Sequence, residues 1–174
     1  MHPSCLPADQ LLKEVRIDFT RTRGPGGQHR NKVETGVRVV HVPTGITATG
    51  FERRSRELNL RNALFRLRIK LALDHRQTTS GGAESSALRP SELWSRRIAK
   101  GRMVVSTGHE DFPALLAEAL DLLLLVDDDV PGAARLLRVS TAQLIRFLSL
   151  EPESLAELNA RLKRHGRKGY SSRS

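Results

Sequence analysis

A glycine-rich stretch at residues 23–32, Arg-Gly-Pro-Gly-Gly-Gln-His-Arg-Asn-Lys, limits the fold more than any other feature of this sequence. Its glycines and proline exclude a helix interior or a regular strand, because glycine weakens both and proline lacks the backbone N–H group that both use. Glycine also lets the main chain approach another molecule closely. The stretch therefore predicts a loop that presents backbone N–H groups and the Gln28 side chain, although a tight turn between two strands is the plainer interpretation of these residues alone.

Strand-like patterns flank this loop. Residues 15–21 alternate apolar and polar side chains and run directly into the glycines, and residues 36–42 are rich in β-branched side chains. A Pro-Thr-Gly turn at 43–45 leads into a returning arm at 46–51. From Ser55, a candidate N-cap, the pattern changes to a helix with an apolar face and a basic face. The basic face consists of Arg54, Arg61, Arg66, Arg68 and Lys70.

These elements predict an α+β unit over residues 1–76, with a small three- to four-stranded sheet, one long packed helix and a protruding Gly-Gly-Gln loop. A Gly/Ser-rich linker at 77–91 separates this unit from residues 92–174. The second part is predicted to be a small all-α module with a basic C-terminal tail. Its helices are expected at 112–126 with Asp111 as N-cap, 131–137, 141–148 and 152–164, whereas Leu93-Trp94 and 103–105 are left unassigned.

A helix-turn-helix is an alternative interpretation of residues 131–148. Its core positions would be filled by Ala134, Leu137, Val139, Leu144 and Phe147. The second helix of this motif offers few side chains that could read bases, and the acidic run 127–129 lies just before it, where DNA would repel it. We therefore favour a helical bundle that docks on another macromolecule, and DNA is an improbable partner.

Composition favours a polyanionic partner. Lys and Arg together number 29 against 19 Asp and Glu, which gives a net charge of +10 concentrated in the N-terminal half. Aromatic residues make up only 4% of the chain, so a broad base-stacking surface is not expected. Neither a membrane-spanning run nor a signal peptide is recognisable, which predicts a cytoplasmic protein. Cys5 is the sole cysteine, and neither a metal site nor a cofactor is predicted.

The residues of the loop allow only a narrow range of chemistry. Gln28 cannot act as a base, because an amide does not titrate, but it can hydrogen-bond to a water and position it. His29 is a weak candidate for a general base, since a lone loop histidine is more often a hydrogen-bonding or RNA-contacting group. Catalysis by this loop would therefore consist of placing a water and directing backbone N–H groups at a developing oxyanion.

Several ordered motifs in residues 12–75 together resemble the catalytic domain of bacterial class I peptide chain release factors. They are the Gly-Pro-Gly-Gly-Gln-His loop with Asn31-Lys32, the Arg-Ile-Asp strand before it, the Val-Arg-Val strand and hairpin after it, and Arg54-Ser55 leading to Asn59 and Ala63. The resemblance implies that the loop enters the peptidyl transferase centre and hydrolyses the ester between nascent peptide and tRNA.

The same resemblance assigns roles to individual residues. It implies catalytic roles for Gly26, Gly27 and Gln28, with the glutamine N–H stabilising the transition state and its side chain admitting water. Contacts to rRNA or tRNA are expected from Arg21, Arg23, His29, Arg30, Asn31, Lys32, Arg53, Arg54 and Arg61. A glutamine methyltransferase acting on Gln28 is a further expected partner. Arg23, Arg30 and Arg56 depart from the family pattern by adding positive charge, which would strengthen contact with rRNA phosphates.

A second departure from the family pattern concerns the number of residues before the loop. Only about 22 residues precede the motif, whereas release factors carry a stop-codon-reading region there. This predicts a codon-independent, ribosome-rescue type of factor. Relatives of that type use a long basic tail, but here the basic end is short and consists of Arg161, Lys163, Arg164, Arg167, Lys168 and Arg173. A noncatalytic ribosome- or RNA-binding protein that retains the loop is the alternative.

Overall fold

The computed structural model describes residues 2–20, 35–75 and 89–171. The chain divides into two compact units, Met1–His75 and Arg76–Ser174. The glycine-rich stretch and most of the expected linker lie outside the described residues. Among those that are described, no helix is both long and apolar enough to cross a membrane.

The first unit contains a three-stranded antiparallel sheet, as the alternating patterns predict. Its strands are β1 (Val15–Thr20), β2 (Gly36–His41) and β3 (Thr47–Gly50), in the order β1-β2-β3. Phe19 pairs with Val37, which in turn pairs with Gly50, so these three residues lie side by side across the sheet. Between β2 and β3 the chain reverses at the expected turn, where Gly45 has a φ of +73° that favours glycine.

One long helix packs on the sheet and runs from Arg56 to Asp74. Ser55 is its N-cap, as predicted, and the Ser55 hydroxyl accepts a hydrogen bond from the Leu58 N–H at 3.4 Å. The apolar face of this helix packs against the buried side of β2 and β3. The core consists of Leu11, Val37, Val39, Ala48, Ala63, Leu67 and Leu71.

The basic face of the long helix is less free than the sequence suggests. Arg66 donates a hydrogen bond to the Thr49 carbonyl at 2.8 Å, and Lys70 donates to the Thr47 carbonyl at 3.0 Å. Long cationic side chains can bury their stems along apolar surface while their charged ends reach polar groups. These two cations therefore bind the helix to the outer edge of β3.

Two elements before β1 were not predicted. A 3-10 helix spans Pro3–Cys5, and the short helix α1 spans Ala8–Lys13. The Arg68 Nε–H donates to the Ser4 carbonyl at 2.9 Å, and Leu11 is fully buried in the core. Helices this short owe their stability to tertiary packing, so a local sequence pattern gives little sign of them. In chain order the long helix Arg56–Asp74 is α2.

The second unit contains the four predicted helices and two elements that sequence patterns left unassigned. The predicted helices are α4 (Phe112–Leu125), α5 (Val130–Leu136), α6 (Thr141–Leu148) and α7 (Pro152–Arg164). The unassigned residues form the short helix α3 (Glu92–Arg96) and a hairpin of β4 (Ile98–Ala99) and β5 (Arg102–Met103). Lys100 and Gly101 form the hairpin turn with positive φ values of 50° and 70°. Within its described residues, 89–171, the unit is thus helical with one small hairpin.

Trp94 lies at the centre of the second unit. It is 1% exposed, and its indole N–H donates to the Leu137 carbonyl at 2.9 Å. The Phe147 ring packs edge-on against Trp94, with centroids 5.4 Å apart, and also contacts Phe112. Of the proposed helix-turn-helix core positions, Val139 is half-buried and the other four are buried.

Asp111 occupies the N-cap position of α4, as predicted, but its side chain does not cap the helix. Its backbone is already helical, with φ −77° and ψ −19°, and its side chain makes no capping hydrogen bond. The Asp111 carboxylate instead accepts hydrogen bonds from the Arg97 Nε–H and Nη2–H at 2.8 and 2.6 Å. A charged, forked guanidinium is a stronger partner than the free N–H groups of a helix end.

The acidic run 127–129 is not a free acidic surface. Asp128 is 6% exposed and forms a bidentate ion pair with Arg161, and Arg167 donates to the Asp127 carbonyl at 2.7 Å. Two cations that the sequence places in a basic tail are therefore used to hold α7 and the segment after it to the α4–α5 turn. The Asn159 side chain further fixes this segment by exchanging two hydrogen bonds with the Tyr170 backbone.

Glu118 on α4 makes one stability prediction possible. Burial raises the pKa of Glu118, while hydrogen bonds from the Ser91 N–H and hydroxyl, at 2.7 and 2.6 Å, oppose that rise. The folded state then binds the proton of the Glu118 carboxyl group more tightly than the unfolded state does. Glu118 therefore lowers the free energy of unfolding as pH rises above its ordinary pKa of 4.5. We expect Glu118→Gln to gain stability relative to the parent chain between pH 4.5 and neutrality. Urea unfolding across that range tests this, and a difference that stays constant with pH would contradict it.

Candidate functional site

The glycine-rich segment, residues 21–34, is attached at its two ends to neighbouring strands. Thr20, the last residue of β1, pairs with Gly36, the first of β2. Residues 21–34 therefore connect two adjacent antiparallel strands at one end of the sheet. The expected catalytic residues Gly26, Gly27 and Gln28 lie outside the described residues and stay predictions. The same holds for Arg21, Arg23, His29, Arg30, Asn31 and Lys32.

Three of the expected RNA-contacting residues are described. Arg53 and Arg54 are exposed in the turn between β3 and α2. Arg61 lies in the second turn of the helix, where its side chain is 75% exposed and makes only a loose contact of 3.9 Å with Glu57. Surface ion pairs of this kind contribute little, so the guanidinium group stays available to another partner. All three cations belong to the N-terminal part of α2 and the turn before it.

The buried side chain of Asn59 brings this turn to the end of the glycine-rich segment. Its Nδ2 group donates to the Thr35 carbonyl at 2.7 Å and to the Arg53 carbonyl at 2.8 Å. Thr35 directly precedes β2 and follows residues 21–34 in the chain. Arg53 and the point at which the segment rejoins the sheet are consequently neighbours.

Phe19 was not identified from the sequence as a site residue. It lies near the end of β1, is 48% exposed, and has the Arg56 guanidinium carbon 5.2 Å from its ring centroid. This distance is within the range of a cation–π contact. The signal that could have identified it is an aromatic residue near the end of a predicted strand and close to the glycine-rich stretch. Arg56, noted above for its added charge, is thus attached to the strand that enters the segment.

Glu52 adds a negative charge close to these arginines, but Arg66 partly neutralises it. Burial acts to raise the pKa of Glu52, yet hydrogen bonds from Arg66 and from the Phe51 and Glu52 backbone N–H groups hold that pKa below its ordinary value. Glu52 is therefore an anion paired with Arg66. The guanidinium groups of Arg53 and Arg54 make no ion pair with another described residue in this structure.

This arrangement suits a polyanion. The turn that carries Arg53 and Arg54 lies beside the place where the glycine-rich segment rejoins the fold. Exposed guanidinium groups bind phosphates through paired N–H donors. Within residues 2–20, 35–75 and 89–171, no three His, Cys, Asp or Glu side chains are grouped so as to hold a metal ion. The described part of the site is therefore a cationic surface beside a connecting segment.

Comparison with known sequences identifies the family. Residues 10–106 match the RF-1 domain, which extends beyond the resemblance at 12–75 to include α3 and the β4–β5 hairpin. The chain is 32% identical over 131 residues to peptide chain release factor 1 of Dictyoglomus thermophilum, covering 67% of this chain and 36% of the relative.

Two other relatives give the same result. Over 108 residues the chain is 38% identical to the chloroplastic peptide chain release factor PrfB1 of Arabidopsis thaliana, covering 56% of this chain and 23% of the relative. Over 79 residues it is 42% identical to peptide chain release factor 2 of Helicobacter pylori, covering 44% and 22%. The chain thus spans between 22% and 36% of the length of these relatives. With the RF-1 domain match extending over more than half of its residues, this chain belongs to the class I peptide chain release factor family.

Proposed function

We propose that this chain is a peptidyl-tRNA ester hydrolase that acts in the large ribosomal subunit and releases the nascent peptide. The observation that carries the proposal is the match of residues 10–106 to the RF-1 domain, within which the Gly-Gly-Gln sequence connects β1 to β2. The relatives are peptide chain release factors, and this supports peptide release as the activity. The cationic surface beside the connecting segment supports an RNA-rich partner.

The proposed chemistry assigns separate tasks to the two kinds of loop residue. Gly26 and Gly27 provide a backbone that can come close to the ester, because they have no side chain in the way. Gln28 directs its backbone N–H at the developing oxyanion, and its side-chain amide positions the attacking water. The loop cations and Arg53, Arg54 and Arg61 bind rRNA or tRNA phosphates and so hold the loop in place.

A finer proposal is that these 174 residues act without reading a stop codon, as a rescue factor for stalled ribosomes. The match to the RF-1 domain ends at residue 106, and the described residues beyond it form the helices α4 to α7. We propose that residues 1–76 carry the hydrolase and that residues 92–174, reached through the linker at 77–91, recognise the ribosomal state or another factor. We further propose a cytoplasmic location and methylation of Gln28, which mass spectrometry of the protein from its native host would detect as one added methyl group.

Substitutions in the loop test the hydrolase proposal. We expect Gly27→Ala to reduce peptide release by about 100-fold or more, because a displaced backbone donor removes stabilisation of the oxyanion. Gln28→Ala keeps the backbone N–H, so a smaller loss is expected. Gln10→Ala, which changes an exposed glutamine on α1, is the matched control and should release peptide at the parent rate.

The assay should use ribosomes that carry labelled peptidyl-tRNA on three kinds of complex: truncated mRNA, mRNA with a stop codon, and no mRNA. Equal release on truncated and stop-codon complexes supports codon independence, whereas release only at a stop codon refutes it. Release that is unchanged in both loop variants would refute the hydrolase and favour a ribosome-binding protein without catalytic activity.

A further inference from the structure

Asn59 is a fully buried polar side chain on the apolar face of α2, with 0% of its surface exposed. Its Nδ2 group donates to the carbonyls of Thr35 and Arg53 at 2.7 and 2.8 Å, and its Oδ1 accepts from the Arg53 N–H at 2.8 Å. The partners fix the orientation of the amide, because carbonyl oxygens can only accept and a backbone N–H can only donate. Asn59 thus uses both of its donor hydrogens.

Each partner of Asn59 belongs to the backbone of a connecting segment. Thr35 lies between residues 21–34 and β2, and Arg53 lies in the turn between β3 and α2. Strand pairing does not join these two segments, since the β2–β3 ladder ends at the pair Val37 and Gly50. The amide of Asn59 therefore links two backbone segments that lie just beyond the last pair of the sheet.

Gly50 allows Asn59 to reach both segments. A Cβ atom at Gly50 would lie 2.2 Å from the Asn59 carbonyl oxygen and 3.2 Å from the Ala63 nitrogen. Only glycine lets β3 approach the α2 backbone this closely without a shift. The close contact brings the first turns of α2 to the end of the sheet where the glycine-rich segment is attached.

We propose that Asn59 is a positioning residue for peptide release, a proposal that rests on the hydrolase function proposed above. It fixes the end of the glycine-rich segment at Thr35 to the turn that carries Arg53 and Arg54. Binding of RNA by those arginines is thereby coupled to the position at which the segment rejoins the fold. A displacement of about 1 Å in a catalytic group can cost roughly 100-fold in rate, so a rigid attachment beside the loop has catalytic consequences.

Asn59→Ala and Asn59→Ser test the proposal, with Asn62→Ala as the matched control. Asn62 lies three residues further along α2 and makes no side-chain hydrogen bond to another described residue. The three variants and the parent chain are compared in single-turnover release at saturating factor, in affinity for the same ribosomal complex, and in thermal unfolding. The release assay is run well below the unfolding temperature of each variant.

We expect both Asn59 variants to bind the ribosomal complex within about 3-fold of the parent affinity and to release peptide about 10-fold or more slowly at saturation. Hydrogen exchange of the Arg53 amide should become faster in them. Asn62→Ala should match the parent chain in all measurements. Asn59→Ser retains a small hydroxyl group and provides the rate if Asn59→Ala does not fold.

Three outcomes would overturn the proposal. The first is an unchanged saturating rate in a folded Asn59 variant, and the second is a loss that comes entirely from weaker ribosome binding. The third is unfolding of both Asn59 variants at every assay temperature, which would make Asn59 a requirement of the fold. A parent chain that releases no peptide would instead refute the hydrolase function itself, so the two failures are distinguishable.

Discussion

Arg161→Ala is expected to lower the free energy of unfolding of the second unit by about 3–5 kcal/mol, because it leaves a buried carboxylate without its partner. The Arg161 Nε–H donates to Asp128 Oδ2 at 2.9 Å, Nη2–H donates to Asp128 Oδ1 at 2.9 Å, and Nη1–H donates to Glu157 at 2.7 Å. Burial acts to lower the pKa of Arg161, but the hydrogen bonds and charge of Asp128 raise it. The guanidinium is therefore charged and stays paired with Asp128.

Arg164→Ala is the matched control for Arg161→Ala, because Arg164 is an exposed arginine in the last turn of the same helix. We expect its effect on the free energy of unfolding to be within about 0.5 kcal/mol. Arg161→Lys should fall between the two, since lysine keeps the charge but not the two-pronged geometry. Urea unfolding of the full chain measures all three variants. Equal effects of Arg161→Ala and Arg164→Ala would show that the buried pair contributes nothing to stability.

Gly50→Ala is expected to destabilise the first unit by about 1–3 kcal/mol, the usual cost of overpacking a well-packed region. The added methyl group would meet the backbone carbonyl of Asn59 at 2.2 Å, and a backbone atom of a helix cannot move aside as a side chain can. Either α2 shifts away from β3 or the strand distorts. Both changes would disturb the hydrogen bonds of Asn59 as well.

Gly108→Ala is the control for Gly50→Ala. A Cβ at Gly108 would meet no atom within 4 Å, and Gly108 does not have a positive φ. Its alanine variant should therefore be as stable as the parent chain or slightly more stable, through reduced freedom of the unfolded chain. Thermal unfolding of both variants decides the matter. Similar midpoints for the two variants would refute the steric argument.

Local patterns predicted the elements whose stability depends on neighbours in sequence. Alternating residues identified β1 and β2, Ser55 marked the start of α2, and the helices from Pro152 and Thr141 begin where expected. Elements supported mainly by distant contacts were missed. Helix α1 is an example, because it has only six residues and is held in place by the burial of Leu11 in the core.

For the same reason, local sequence patterns could not predict the long-range polar contacts. Asp128 and Arg161 are separated by 33 positions, and nothing in the sequence near either residue indicates the other. Both were therefore interpreted as surface charges. Asn59 was noted only as part of a motif, since an asparagine among apolar helix positions does not reveal which backbone groups it bonds. The catalytic triplet at 26–28 was proposed from its motif and lies outside the described residues.

The contact between His2 and His75 has a consequence for protein engineering. The His2 Nε2–H donates to the His75 carbonyl at 2.8 Å, and the two rings lie with centroids 5.4 Å apart. The two ends of the first unit are thus adjacent, an arrangement that favours circular permutation and insertion into a host protein. Residues 2 and 75 could be joined by a short linker and new termini opened at the Gly45 turn. The unit could then be inserted into a host protein without distortion of its sheet.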